Sequence, residues 1–401
     1  MNNKEHHTVP MNSIERHTAL SLGGVYAIRM FGLFLILPVF ALHSHEFKFA
    51  TSTLTGIALG IYGLTQACLQ IPMGLLSDRI GRKTVIIAGF ILFCIGSVIA
   101  ALAETIYGVI LGRALQGAGA VASTLMALAA DLSRQEQLSR INMIIGGGIV
   151  LAFASALVLA PVLHAQIALS GIFWLSAMLG VLAISIVLYG VPKIPENRKI
   201  SISTQWQRNC IKAALNDREL LRLYLGVFAL HAAMATNFLI LPALIVKRLH
   251  LASADHWMFY LFILIVSVVL IWPMLVWGEK KQRVKEIFIA AILLLTLSYA
   301  SWYASDGSIT LIISALLFFT AFNYLEANLP ALVSRRCDAE HRGSCLGMFS
   351  TAQFLGIFAG ASSGGFLLEW GEVSIIVPGL LLLLIWFFSA FSMKKVVLRR
   401  V

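Results

Sequence analysis

Charge is what this chain has least of. Of its 401 residues only 12% are Asp, Glu, Lys or Arg, about half the share of a soluble domain. Hydrophobic residues make up 59%, and the mean hydropathy is +0.86. A large soluble core is excluded; the composition is that of a polytopic helical membrane protein. Period-two alternation is missing, so no strand reading competes. There is no Walker sequence, which argues against ATP as the driving force. Cysteine is sparse: Cys68, Cys94, Cys210, Cys337 and Cys345 form no CxxC pair, which predicts neither a disulfide framework nor a zinc site. The polar leader lacks a cleavage pattern, so the first apolar segment stays as a helix. His6, His7 and His17 lie in that leader without partner ligands, and it reads as a disordered tail.

What is present is a succession of apolar runs. They fall near 19–43, 53–76, 84–103, 106–130, 141–164 and 169–190, then 219–247, 257–278, 284–303, 308–333, 343–367 and 370–393. Most approach the roughly 20 residues that a spanning helix needs. Five regions follow: a leader (1–18), a six-helix bundle (19–190), a central loop (191–218), a second six-helix bundle (219–393) and a basic tail (394–401). The net charge of +11 suggests nucleic acid until its distribution is seen. With twelve spans, 24 of the 30 Lys and Arg residues fall on the side of the termini, 3 opposite and 3 within spans. These are topology signals and contacts for anionic lipid. They predict both termini and the central loop in the cytoplasm.

Between spans 2 and 3 lies Gly74-Leu-Leu-Ser-Asp78-Arg79-Ile-Gly81-Arg82-Lys83. A turn this short cannot bury a core; it can hold fixed charges at a membrane face. The spacing G-x-x-x-D-R-x-G-R-K is more specific than a basic loop requires, and it resembles the signature loop of the major facilitator superfamily. In span 4, Arg113 is followed by Gln116 and Gly117, which resembles that family's second motif. The resemblance implies two six-helix bundles that rock about a central site. It also implies a latch in which Asp78 meets the start of span 11 in one state, while Arg79 and Arg82 pair with acids such as Asp131. Arg113 would line the path and couple to protons, or else tie span 4 to its neighbours.

Glu326 in span 10 is the only acid well inside a span. Such an acid costs roughly 2.5–3.5 kcal/mol by insertion scales and is functional by default; the alternative is a neutral acid bonded to a neighbouring helix. Arg29 in span 1 lies at comparable depth, and the resemblance puts spans 1, 4, 7 and 10 around the cavity, so a pair with Glu326 across the bundles is expected. The other reading has Arg29 snorkelling or bonding backbone carbonyls. His231 in span 7 is either a titrating group or an interhelical donor. Small residues recur at helical spacing: Gly56 and Gly60 in span 2, and Gly356, Gly360 and Gly364 in span 11. They are sliding surfaces at the bundle interface or static packing within each bundle.

Longer runs narrow the resemblance. Arg29 to Pro38, Gly60 to Gln66, Leu111 to Gly117, Phe322 to Pro330 and Ser350 to Gly356 look like the YajR-type subgroup of bacterial drug–proton antiporters. Members of that subgroup can carry a soluble domain after span 12, which this chain lacks. The resemblance implies no enzyme but a proton-coupled secondary transporter, an exporter of small amphiphilic molecules. It would sit in the bacterial inner membrane and work as a monomer, with protons, a small solute and lipid as its partners. No cofactor or metal is expected; the proton gradient drives it. Span 5 reads Ala160-Pro161 where antiporters of the family carry Gly-Pro, so uptake by symport stays open. A non-transporting sensor or scaffold is the third reading.

Overall fold

Lipid offers the backbone no hydrogen bonds, so each apolar run must satisfy its own amides as a helix. The computed structural model describes residues 10–192, 215–280, 283–304, 306–337 and 342–393. Most of the central loop, the basic tail, Cys210, His6 and His7 lie outside the described residues. The first half comprises α1 (Ser13–Phe34), α2 (Leu37–His43), α3 (Ser52–Ile80), α4 (Arg82–Ala101), α5 (Ile106–Ala118), α6 (Ala122–Asp131) and α7 (Gln135–Ser185). The second comprises α8 (Arg218–Leu249), α9 (His256–Lys280), α10 (Val284–Ala304), α11 (Ser308–Arg336), α12 (Arg342–Leu368) and α13 (Glu372–Phe391).

These are the expected twelve spans, with local departures. Among the described residues eleven helices are long and apolar enough to cross a membrane, one of them a double-length segment over Glu136–Gly190. Its backbone leaves the helical region at Ala168 (φ 54°), where spans 5 and 6 meet. Spans 1 and 4 are broken, by Leu35–Ile36 between α1 and α2 and by Gly119–Val121 between α5 and α6. The leader is corrected: α1 already begins at Ser13. Asn12 and Glu15 form a reciprocal capping box there, and Arg134 Nε holds the buried Glu15 carboxylate at 2.7 Å. Gly81 ends α3 with φ 99° and starts α4, a conformation open to glycine at little cost.

Cysteine is a second correction. Cys337 and Cys345 form a disulfide across the α11–α12 connection, with Cα atoms 6.7 Å apart. The two cysteines are only 8 positions apart, so the short connection keeps their Cα atoms within the range that a disulfide spans. Cys68 and Cys94 are free.

The two halves meet along α3 and α12, with α2 against α8 and α7 against α9. At the seam the backbones approach so closely that a Cβ on Gly56 would sit 2.2 Å from the Ala361 carbonyl, and one on Gly63 2.5 Å from that of Phe354. Thr53 Oγ1 donates to Glu369 Oε1 (2.7 Å) at the same end. Toward the other end, by the α3–α4 turn, Gly74 has only Ser123 of its own half nearby, and Gly343 and Gly347 face open space. The halves are therefore closed at the far end and parted at the end that carries the α3–α4 turn. Large side chains such as Met143, Leu151, Val269 and Trp272 cover the outside, as expected of helices surrounded by lipid.

Candidate functional site

The opening between the halves is floored by aromatic rings. Phe153 of α7 lies 5.0 Å from Phe34, 6.4 Å from Phe238 and 6.0 Å from Phe322 (centroid distances), so the layer crosses the seam. Four residues after Phe322, on the same helix face, comes Glu326. Its side chain is 32% exposed, and Oε2 lies 3.5 Å from His231 Nε2. Gln353 of α12 donates its Nε2 amide to His231 Nε2 (2.7 Å) and to Glu326 Oε1 (3.4 Å). His231 contacts the Val227 carbonyl through Nδ1 at 3.1 Å. A carbonyl only accepts, so Nδ1 carries a proton toward Val227, and Nε2 is the ring atom that faces Gln353 and Glu326. Three helices of the second half thus assemble an acid, an imidazole and an amide at the opening.

The first half contributes cations, and it buries them. Arg29 Nη2 donates to Gln66 Oε1 (2.5 Å) and to the Gly119 carbonyl (3.2 Å). That carbonyl is free because span 4 breaks there, and irregular backbone at membrane depth survives where a buried partner takes it up. Gln66 in turn donates to Gln70 (2.9 Å). Arg113 donates to Gln116 Oε1 (2.9 Å) and lies over the Tyr62 ring at 5.0 Å. Gln116 continues to Ser97 Oγ (2.8 Å). Gly117 lets the helices close: a Cβ there would lie 2.2 Å from the Tyr62 carbonyl. The expected Arg29–Glu326 pair is not formed. Arg29 is held by its own half through Nη2, with Nε and Nη1 buried and unpartnered, and the acid lies against His231 instead.

At the α3–α4 turn, Arg82 gathers the acids. It lies 2.5 Å from Asp78 and 3.1 Å from Asp131, and its Nη1 donates to Ser77 Oγ (2.6 Å). All three charged side chains are less than a fifth exposed. Lys83 donates to the Val191 carbonyl. Arg79, expected to share this role, is exposed and makes no ion pair among the described residues. Asp78 stays within its own half in this structure.

The glycine stripe of α12 is also corrected. A Cβ on Gly356 or Gly360 would strike the carbonyl of Phe228 or Ala232, and one on Gly364 would meet Leu239, all on α8. These three pack inside the second half. The seam is made by Gly365, one residue on and so about 100° around the helix, against Gly56. Residue reasoning missed Gly63 and Gly365. It also missed Gln353, although that residue lies in one of the resembling runs. Asn237 of α8 escaped too, buried with neither side-chain atom hydrogen-bonded.

Two six-span halves, closed at one end and parted at the other around an accessible acid, define a membrane transporter of the two-bundle class. The sequence profile of the Major Facilitator Superfamily matches residues 22–361, and the chain belongs to that family. It is 36% identical to the inner membrane transport protein YajR of Escherichia coli over 383 residues, covering 95% of this chain and 84% of that one. It is 24% identical to the multidrug resistance protein MdtH of Yersinia enterocolitica, over 85% and 84% of the two chains. In fold it is similar to the human organic anion transporter MFSD10, with a TM-score of 0.68, 15% identity and coverage of 94% and 100%.

Proposed function

We propose that this transporter is a proton-coupled exporter of small amphiphilic organic molecules, an antiporter driven by the proton gradient alone. The observation that carries the reading is Glu326, an acid set at membrane depth and yet one-third exposed at the opening between the halves. An embedded carboxylate is costly and is retained where it works. In the arrangement seen here its side chain is partly exposed, while Oε2, which faces His231, is buried with no hydrogen-bond partner. Rocking to the opposite arrangement would move that access to the other face. Substrate and proton then favour different occupancies of one cavity, and each can displace the other. The aromatic floor suits an apolar or aromatic solute, and the multidrug resistance name of one relative favours export.

On this reading the chain sits in the bacterial inner membrane, with both termini and the Asp78–Arg82–Asp131 latch on the cytoplasmic side, and works as a monomer in contact with lipid. Arg29 and Arg113 set the potential that the proton meets, without touching the carboxylate.

Glu326→Gln in proteoliposomes tests the reading. The variant should bind a fluorescent amphiphile as wild type does, while losing accumulation driven by a pH difference. Continued accumulation against a gradient in Glu326→Gln would place the carrier elsewhere. Accumulation running with the proton flux rather than against it would make the protein a symporter.

A further inference from the structure

Three side chains that the transport cycle does not use converge at the closed end of the first half. His43 is the last residue of α2, and Glu46 follows in a single 3-10 turn. His164 comes from α7, four residues before the break at Ala168. One ligand atom from each lies within 4.8 Å of the other two. His43 Nδ1 is 3.1 Å from Glu46 Oε1, and His164 Nε2 is 3.6 Å from the same oxygen. The two rings are 3.7 Å apart between centroids.

We propose that His43, Glu46 and His164 form a binding site for a divalent transition-metal ion of the zinc type. The inference is independent of what the transporter carries. Two imidazole nitrogens and one carboxylate oxygen are the donor set of zinc and its neighbours, not of magnesium or calcium, which prefer oxygen throughout. With metal–ligand bonds of about 2.0–2.1 Å, neighbouring ligands on a tetrahedral ion stand about 3.4 Å apart. The observed 3.1 and 3.6 Å straddle that value. Hydrogen bonding inside the cluster leaves it incomplete, because Nε2 of His164, the atom that faces Glu46, is buried with no hydrogen-bond partner. Entry is provided: the two histidines are 16% and 11% exposed, and Glu46 is 41% exposed. A fourth position remains for water or solute.

The placement carries a consequence. The ion would join the end of span 1 to the end of span 5. It would do so where α7 packs against the 3-10 turn Ser253–Asp255 of the second half. Metal binding would therefore brace the closed end. The sequence contains no metal-ligand spacing here, since His43 and His164 are 121 positions apart; only the packing of α2 on α7 brings them together.

The test uses the full chain, purified with a tag that contains no histidine. Zinc is titrated in detergent, and the readouts are bound metal per chain after gel filtration and the melting temperature. Wild type should hold one ion and melt higher with zinc but not with magnesium. Glu46→Gln and His164→Gln should each weaken binding by more than about tenfold. His6→Gln/His7→Gln and His231→Gln should keep it. If His164→Gln melts early without metal, the exposed Glu46→Gln carries the test. Undiminished binding in Glu46→Gln, or its loss in His231→Gln or the leader variant, would overturn the proposal.

Discussion

Two glycines with the same steric surroundings should respond differently to one added methyl group. A Cβ on Gly56 would lie 2.2 Å from the Ala361 carbonyl oxygen and 2.8 Å from Gly365 Cα, across the seam between the halves. A Cβ on Gly360 would lie 2.2 Å from the Ala232 carbonyl, within the second half. Ordinary contact needs about 1 Å more in either place, and overpacking of this kind costs about 1–3 kcal/mol. In Gly56→Ala the cost falls only on the arrangement closed at the far end, because rocking parts α3 from α12. The equilibrium should shift toward the other arrangement by about 5- to 150-fold. In Gly360→Ala the cost falls on every arrangement, because α8 and α12 travel together. It should appear as a lower melting temperature with an unshifted equilibrium. The assay is the alkylation rate of a cysteine placed at Phe354, a buried seam residue, in a background without the native cysteines. The variants are compared by that rate and by thermal melting in detergent. Gly56→Ala should label faster and melt near wild type. If it labels at the wild-type rate and melts as low as Gly360→Ala, the seam is static packing and does not part.

Acidity at the far face should act through Glu369. The Thr53 hydroxyl and amide donate to it across the seam and hold its carboxyl below the usual 4.5. A depressed carboxyl favours the closed contact above its free value and loses that contribution as pH falls through the lower, bound value. The thiolate that reacts becomes scarcer with acid in both proteins, so the readout is the ratio of rates: labelling at Phe354 in wild type relative to Glu369→Gln should rise as pH drops below about 4.5, and a constant ratio would refute this. Asp78→Asn removes one of the two acids on a mostly buried Arg82, a charged hydrogen bond worth about 1.5–3 kcal/mol. The variant should stay folded, melt lower and transport more slowly. Wild-type values of both would sink the latch.

Hydropathy alone determined the twelve spans, since a bilayer leaves an apolar run no way to satisfy its backbone except as a helix. Motif spacing located Arg113 with Gln116 and Gly117, and the turn holding Asp78 and Arg82. The scarcity of acids inside spans singled out Glu326. What the sequence withheld was azimuth. A helix that is apolar all round carries no periodic signal for which face meets which neighbour, and one residue turns the helix by about 100°. That step separates Gly364, which packs on α8, from Gly365, which meets Gly56 at the seam. The same uncertainty hid the partners of the buried charges. Arg29 turns to a carbonyl freed by the break in span 4, leaving Glu326 to His231 and Gln353. Contacts between residues far apart in the chain, such as His43 with His164 and Thr53 with Glu369, exist only once helices are packed side by side. Composition decided that this chain crosses a membrane; only tertiary packing decided which of its few polar groups face one another.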